Sequence, residues 1–148
     1  MKPQKLRPAV FIIVYAKTLR EIKYLLLKRK LHWKGWEFPK GKIEKGEKKK
    51  ETAKREAHEE TGLRILKNKI KKFNYSGKYL YHKKLPDRPG YIGQSFTLFA
   101  GEVKKGKIKL DKKEHSGHKW FGFEEAIKKL HWKNQKESLK IVNEWLVK

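Results

Sequence analysis

Apolar and polar positions fall in blocks along this chain, and the blocks predict its elements. Residues 9–16 (AVFIIVYA) form an unbroken β-branched and apolar run, the pattern of a buried strand. Residues 22–27 read as its partner across a polar turn near residues 18–21. Residues 32–39 carry Trp33 and Trp36 and predict a loop with a short extended stretch ending at Pro39. Gly41 and Gly46 punctuate a further loop. Residues 48–61 predict a helix with Gly62 as its C-terminal stop. Two strands are expected at 65–73 and 78–82, then a loop over 83–93, then an apolar strand at 95–103. A short strand at 118–123 and a short helix at 124–130 follow. Asn134 with Glu137 fits a helix N-cap and its reciprocal acid. The closing helix, 135–147, sets Leu139, Val142, Trp145 and Leu146 on one face. Strands mixed with a few helices predict an α/β fold, a sheet covered on both sides. With no linker, repeat or low-complexity stretch, residues 1–148 read as a single domain.

Composition narrows the chemistry. The chain has no Cys, so a metal site would have to use carboxylates, His or carbonyls. The early apolar run is too short for a signal peptide, and no stretch approaches the roughly 20 apolar residues of a membrane span. A cytoplasmic protein without a membrane partner is expected. The net charge of +24 makes an attractive field for polyanions, including RNA. A general preference for Lys explains it equally well, because only Arg7, Arg20, Arg29, Arg55, Arg64 and Arg88 are arginines and the Lys are spread throughout.

The acids are less evenly placed. Of sixteen, six (Glu44, Glu47, Glu51, Glu56, Glu59 and Glu60) fall within the 23 residues 41–63. Glu56, Glu59 and Glu60 stand at i, i+3 and i+4, on one helical face. Three such carboxylates repel one another unless a divalent cation takes their oxygens as ligands, and oxygen ligands without thiolate favour Mg²⁺ or Mn²⁺. Such a metal would hold polyphosphate oxygens and acidify a water that attacks phosphorus. Arg55 sits beside the cluster and can orient a carboxylate. Ala53 and Ala57 offer a small-residue stripe for close packing on the sheet. By spacing alone, a solvated charged face remains the common alternative.

The complete pattern is more specific. Gly41, Glu47 and then Arg55-Glu56-Ala57-His58-Glu59-Glu60-Thr61-Gly62-Leu63 match every defined position of the Nudix box, with Ala57 small for its aliphatic slot. On these residues the chain resembles the Nudix hydrolases. The resemblance implies an α/β/α sandwich around a mixed sheet, with the box at 41–63 as loop–helix–loop. It implies metal ligands at Glu56, Glu59 and Glu60 and at the Lys40 carbonyl, with Arg55 and Glu47 as supporting ion-pair positions. A Glu outside the box often completes the site, and Glu102 and Glu114 are the candidates. Which Glu serves as the base is left open.

The flanks bear on the substrate. Residues 36–41 (WEFPKG) resemble the entry to the box in dinucleoside tetraphosphate hydrolases and mRNA-decapping enzymes. Glu114-His115, residues 119–122 (KWFG) and 124–126 (EEA) resemble the C-terminal part of asymmetric diadenosine tetraphosphate hydrolases. Arg7-Pro8 and Gly93-Gln94 resemble RNA pyrophosphohydrolases, where Arg7 would be a phosphate contact. Lys40 and Lys42 would meet phosphate charge, and Trp33 or Trp36 could stack on a base or pack in the core. Tyr79, Tyr81 and His82 could shape a base pocket, and His115 could donate to phosphate or cap a loop. Together these features favour metal-dependent hydrolysis of a phosphoanhydride in a dinucleoside polyphosphate such as diadenosine tetraphosphate. RNA 5′-pyrophosphohydrolase or decapping-like activity is the near alternative, and a non-catalytic basic RNA-binding module is the alternative from another class.

Overall fold

The structure, a computed structural model, describes residues 5–81, 83 and 85–148. Strand β1 (Lys5–Lys17) runs parallel to β6 (Tyr91–Glu102) along most of its length, Arg7 opposite Gln94 and Tyr15 opposite Glu102. The other pairings are antiparallel: β2 (Ile22–Arg29), β3 (Gly35–Glu37), β4 (Lys40–Lys42), β5 (Ile70–Leu80) and β7 (His115–Phe121) complete a mixed seven-stranded sheet of order β3-β2-β1-β6-β5, with β4 on β1 and β7 on β2. Helix α1 (Lys49–Thr61) covers one face, and α2 (Phe123–Lys129) and α3 (Lys133–Val147) cover the other.

The uniform apolarity of β1 follows from this sandwich. Strand side chains alternate between faces, so a strand covered on both sides is apolar at every step. Phe11, Ile13 and Tyr15 join Leu26, Leu98, Leu139 and Val142 in the core under α3. Val10, Ile12 and Val14 join Leu25, Leu27 and Phe99 in the core under α1, where Ala53 and Ala57, both fully buried, let the helix sit close. The expected α/β/α sandwich is what forms. Among the described residues no helix is long and apolar enough to cross a membrane.

Strands β6 and β7 begin at Tyr91 and His115, earlier than expected, and two further departures are larger. Residues 65–73 and 78–82 are not two strands: β5 is continuous over Ile70–Leu80, with an irregular register between Lys72 and Ser76. The chain before it turns instead, with Asn68 at φ 61° and the Lys69 amide donating to the Leu66 carbonyl at 3.0 Å. Gly77 does not break the strand, because it lies directly under the Phe96 ring, where a Cβ would sit at 2.8 Å. The Asn134–Glu137 capping box also does not form. Helix α3 starts one residue before Asn134, with Trp132 at the N-cap position, and the Asn134 carbonyl accepts from Ser138 Oγ at 2.8 Å.

Leu98, fully buried between β1 and β5, carries the core under α3. Leu98→Ala is expected to cost about 2–5 kcal/mol through lost burial and the cavity left behind, measured as a lower urea midpoint with an unchanged slope.

Candidate active site

The site is assembled where the β4 strand meets the second half of α1. Helix α1 has no side-chain N-cap on Lys48. Its first turn is tied instead by Glu47, whose Oε1 accepts from the Thr52 hydroxyl at 2.7 Å and from the Glu44 amide at 3.1 Å. Arg55 closes the arrangement. Its Nε and Nη2 fork onto Glu47 at 2.8 and 3.0 Å, and Nη2 also donates to the Lys42 carbonyl at 3.0 Å. Its Nη1 reaches Glu56 at 2.8 Å and Glu59 at 3.1 Å. These hydrogen bonds from Arg55 hold the Glu47 carboxyl down at about 2. The helix ends at Gly62, whose φ of 79° is the left-handed conformation that favours glycine, with its amide on the His58 carbonyl.

The three box carboxylates occupy graded depths. Glu59 is more than half exposed, Glu56 lies against the floor, and Glu60 is buried. Gly41 makes room for Glu56: a Cβ there would stand 2.0 Å from the Glu56 carboxyl carbon. Glu60 Oε2 accepts the Lys40 amide at 3.0 Å, which fixes β4 to the helix, while Oε1 is buried with no hydrogen-bond partner. Glu60, Glu114 and His115 each bring a potential ligand atom within 4.8 Å of the others. Burial pushes the Glu56 carboxyl up to about 7 against the pull of Arg55, with Glu59 and Glu114 adding to the rise. Burial, then Glu37, Glu56 and Glu114, drive Glu60 well above the ordinary carboxylate range. Crowded carboxylates with an orphaned buried oxygen are a donor set that a hard divalent cation satisfies.

Below this cluster lies a largely buried ion network centred on Glu37. Glu37 accepts from Arg29 Nη1 at 3.1 Å, bonds His115 Nε2 at 2.8 Å and pairs with Lys40 Nζ at 3.3 Å. Burial alone would raise its carboxyl. Lys40, the His115 hydrogen bond and Arg29 outweigh that and hold it down at about 2.

Beside Lys40 opens a cavity of about 520 Å³, walled by Phe11, Trp33, Tyr75, Tyr79, Tyr81 and Trp132, with Arg29 and Arg88 on its border. The Asn134 Oδ1, on α3 at the cavity wall, is buried without a hydrogen-bond partner.

The Nudix domain model matches residues 5–142 of this chain. The chain belongs to the Nudix family. Among curated proteins it is similar to the asymmetrical bis(5′-nucleosyl)-tetraphosphatase of Mus musculus, 29% identical over 131 residues that cover 84% of this chain and 81% of the mouse protein. It is also similar to the RNA pyrophosphohydrolase of Nitratiruptor sp., 32% identical over 117 residues, 77% of this chain and 75% of that protein. Among solved structures, a Nudix-family protein from Listeria monocytogenes superposes with a TM-score of 0.77 at 27% identity, covering 97% and 94% of the two chains. A C. elegans Ap4A hydrolase binary complex shares the fold, with a TM-score of 0.70 at 24% identity and coverage of 96% and 98%. The protein is thus a Nudix hydrolase, an enzyme that cleaves pyrophosphate linkages, and the reading of it as a non-catalytic basic module gives way.

The Nudix fold brings together most of the residues singled out in the sequence and separates others. Glu56, Glu59, Glu60, Arg55, Glu47, Lys40 and Glu114 converge. Glu102 does not join them: it ends β6 opposite Tyr15, five register steps from the Val10–Gly41 pair, with Lys17 at 4.0 Å. Of the two tryptophans, Trp36 stacks edge-on against Phe121 at 5.4 Å in the core, and Trp33 is the one that lines the cavity. His115 is buried with its Nε2 on Glu37 at 2.8 Å, beside Glu60 and Glu114. Tyr79 and Tyr81 both line the cavity, their rings meeting at 72°. Lys42 lies over the Tyr91 ring at 5.7 Å, and Arg7 donates to Gln94. His82 lies outside the described residues.

The sequence assigns no role to Glu37, Arg29 or Arg88, and Gln94 enters only with Gly93 in the likeness to RNA pyrophosphohydrolases. The available signal was an acid between two aromatics, Trp36 and Phe38, in an extended stretch, and a lone Arg closing the apolar run of β2.

Gly41→Ala is expected to displace the Glu56 carboxylate and lower kcat about 100-fold while circular dichroism shows the fold retained. Glu37→Gln strands the cations around it and is expected to cost roughly 3–5 kcal/mol in chemical denaturation. The carboxyl of Glu37 is depressed in the folded state, so its contribution is complete above its ordinary value near 4.5 and fades as the pH falls toward about 2. The stability gap between wild type and Glu37→Gln should therefore narrow in acid.

Proposed function

We propose that this chain hydrolyses a phosphoanhydride bond in a nucleoside polyphosphate, with dinucleoside polyphosphates such as diadenosine tetraphosphate as the preferred class, and that it uses Mg²⁺ or Mn²⁺. The observation that carries this reading is the junction at Lys40. Its amide is bonded to the buried carboxylate Glu60, and its side chain borders an aromatic cavity of nucleoside size. The likeness to the mouse tetraphosphatase supports the choice of class. Asn134 Oδ1, unpartnered at the cavity wall, is a ready acceptor for an exocyclic amine of a base.

Glu56 and Glu60, with Glu114 across from them, are the residues that would hold the cation, with Glu59 and the Lys40 carbonyl as further candidates. When bound, such an ion supplies Lewis acidity toward phosphoryl oxygens and activates water. The protein's own groups do the positioning. Arg55 keeps Glu56 and Glu59 oriented, the Lys40 amide fixes Glu60, and Lys40 Nζ, held by Glu37 and within 3.5 Å of the Tyr79 hydroxyl, presents positive charge at the cavity edge. Water attacks one phosphorus, the bridging P–O bond breaks, and a nucleotide leaves with the bridging oxygen.

A second reading, trimming of 5′-triphosphate from RNA, is favoured by the likeness to the Nitratiruptor RNA pyrophosphohydrolase and suits the charge of +24. The deciding measurement is turnover of diadenosine tetraphosphate, 5′-triphosphorylated RNA, ADP-ribose and an oxidised dGTP with Mg²⁺, with Mn²⁺ and in chelator. Fastest cleavage of the dinucleoside substrate supports the first reading, and fastest cleavage of the RNA replaces it with the second. Glu60→Gln is expected to lose at least about 100-fold in activity and to abolish the rise in Tm that Mg²⁺ gives the wild type. An unchanged response to Mg²⁺ would remove Glu60 from the cation site.

A further inference from the structure

Strand β5 closes one side of the sheet, and among the described residues no strand pairs with its outer edge. On the face that meets α3, alternate positions of β5 carry Phe73, Tyr75 and Tyr79, with Gly77 between them under the Phe96 ring. Tyr75 and Tyr79 line the aromatic cavity. Phe73 stands at the other end of the row, where Trp145 of α3 meets it edge-on at 5.4 Å. Phe73 and Tyr79 are six positions apart, about 20 Å at the rise of a strand. The row therefore leads from the cavity to Trp145 over the length of a few nucleotides.

Trp145 is left in water. Leu139 and Val142, on the same helix, are fully buried, but Trp145 is 40% exposed. Lys71 Nζ lies over both rings at this end, 5.5 Å from the centre of Phe73 and 5.4 Å from that of Trp145. Lys72 and Lys78 are exposed on the same strand. Among the described residues the lysine ion pairs belong to Lys17, Lys23, Lys40 and Lys140, so no acid answers the three lysines of β5. Lysines on an open edge strand also guard it against pairing with another sheet. That role does not account for a large aromatic ring kept at the surface beside them.

Charge and continuity decide what the edge would hold. A second copy of the chain carries the same +24 and is repelled. An acidic peptide would answer the lysines and leave the rings unused. A single-stranded nucleic acid answers both, with phosphates for the lysines and base faces for the rings, and its first nucleoside fits the cavity at the end of the row.

We propose that the β5 edge and Trp145 form a track for single-stranded RNA, with the 5′-terminal nucleoside in the cavity and the following nucleotides running along β5 to Trp145. The inference rests on the reading above only for the seat of that first nucleoside. It gives the enzyme a surface for the body of an RNA, which a dinucleoside polyphosphate would leave empty.

The probes are hexaadenylate bearing a 5′-monophosphate, and AMP. Neither has a phosphoanhydride to lose, and both are titrated in chelator against wild type, Trp145→Ala, Trp145→Phe, Lys71→Gln and Lys128→Gln. The last removes a charge from α2 and reports general attraction to the Lys-rich surface. Wild type is expected to bind hexaadenylate at least about 10-fold more tightly than AMP. Trp145→Ala should lose about 10-fold for hexaadenylate, the worth of one stacked base, and nothing for AMP. Trp145→Phe should recover part of that loss. Lys71→Gln should lower the slope of log affinity against log salt by about 1, with Lys128→Gln unchanged. Hexaadenylate should quench tryptophan fluorescence more in wild type than in Trp145→Phe, a stacking signature that a purely structural Trp145 would not give. In kinetics, Trp145→Ala should raise KM for 5′-triphosphorylated RNA and leave KM for diadenosine tetraphosphate as it is. Hexaadenylate binding no tighter than AMP overturns the track. So does an equal loss for both probes in Trp145→Ala, which marks damage to the cavity, or a loss in Lys71→Gln no greater than in Lys128→Gln. If wild type cleaves no polyphosphate yet Trp145→Ala and Lys71→Gln bind hexaadenylate more weakly, the catalytic reading fails and the track stands. If wild type cleaves and these variants bind hexaadenylate as it does, the track alone fails.

Discussion

The burial of Glu37 is the constraint on which the site depends. A carboxylate with no exposed surface is tolerated only when its charge is answered on the spot. Here the answers come from three separate elements: Arg29 at the end of β2, Lys40 at the start of β4, and His115 at the start of β7. Each contact ties a strand end through a side chain, in addition to the ladder that pairs Arg29 with His115 and Lys40 with Phe11. The register of β4 on β1 then puts Gly41 opposite Val10, and the Lys40 amide meets Glu60. The ion network thus does its work through backbone positions, setting where the box begins relative to its helix.

The acids of α1 rely on that placement. Left to itself, a helix carrying Glu56, Glu59 and Glu60 would turn all three to water. Packing of Ala53 and Ala57 on β1 and β6 instead rotates Glu60 inward, and the absence of a side chain at Gly41 gives Glu56 its seat. Arg55 neutralises part of the resulting repulsion while bonding Glu47, Glu56, Glu59 and the Lys42 carbonyl. The stress that remains, two carboxyl groups pushed toward their neutral forms by burial and by each other, makes the cluster receptive to a cation. Stability is given up locally so that binding can recover it.

The positive charge of the chain has two different characters. Most lysines are exposed and scattered, and they give a general field. Arg29 and Arg55 are neutralised inside the protein. Arg7 and Arg88 are neither dispersed nor, among the described residues, in an ion pair, and that difference in circumstance, rather than the total of +24, is what singles them out.

The sequence by itself determined the elements whose signals are local. The apolar run of β1, the Gly62 stop of α1 and the closing helix all follow from propensity and periodicity, and the spacing of Glu56, Glu59 and Glu60 places them on one helical face. The box residues were legible because they lie within one contiguous segment. What depended on distant pairing was not. Glu102 and Glu114 are equivalent as isolated acids, and only the parallel β1–β6 register carries Glu102 away while β7 brings Glu114 beside Glu60. Trp36 lies in β3 against Phe121 while Trp33, in the loop before it, lines the cavity, and Arg7 and Arg88 are 81 positions apart until the fold joins them on Gln94. Periodicity records the environment a residue prefers. It does not record which residue will stand opposite, and that is decided only when the whole sheet closes and every buried charge must find its partner.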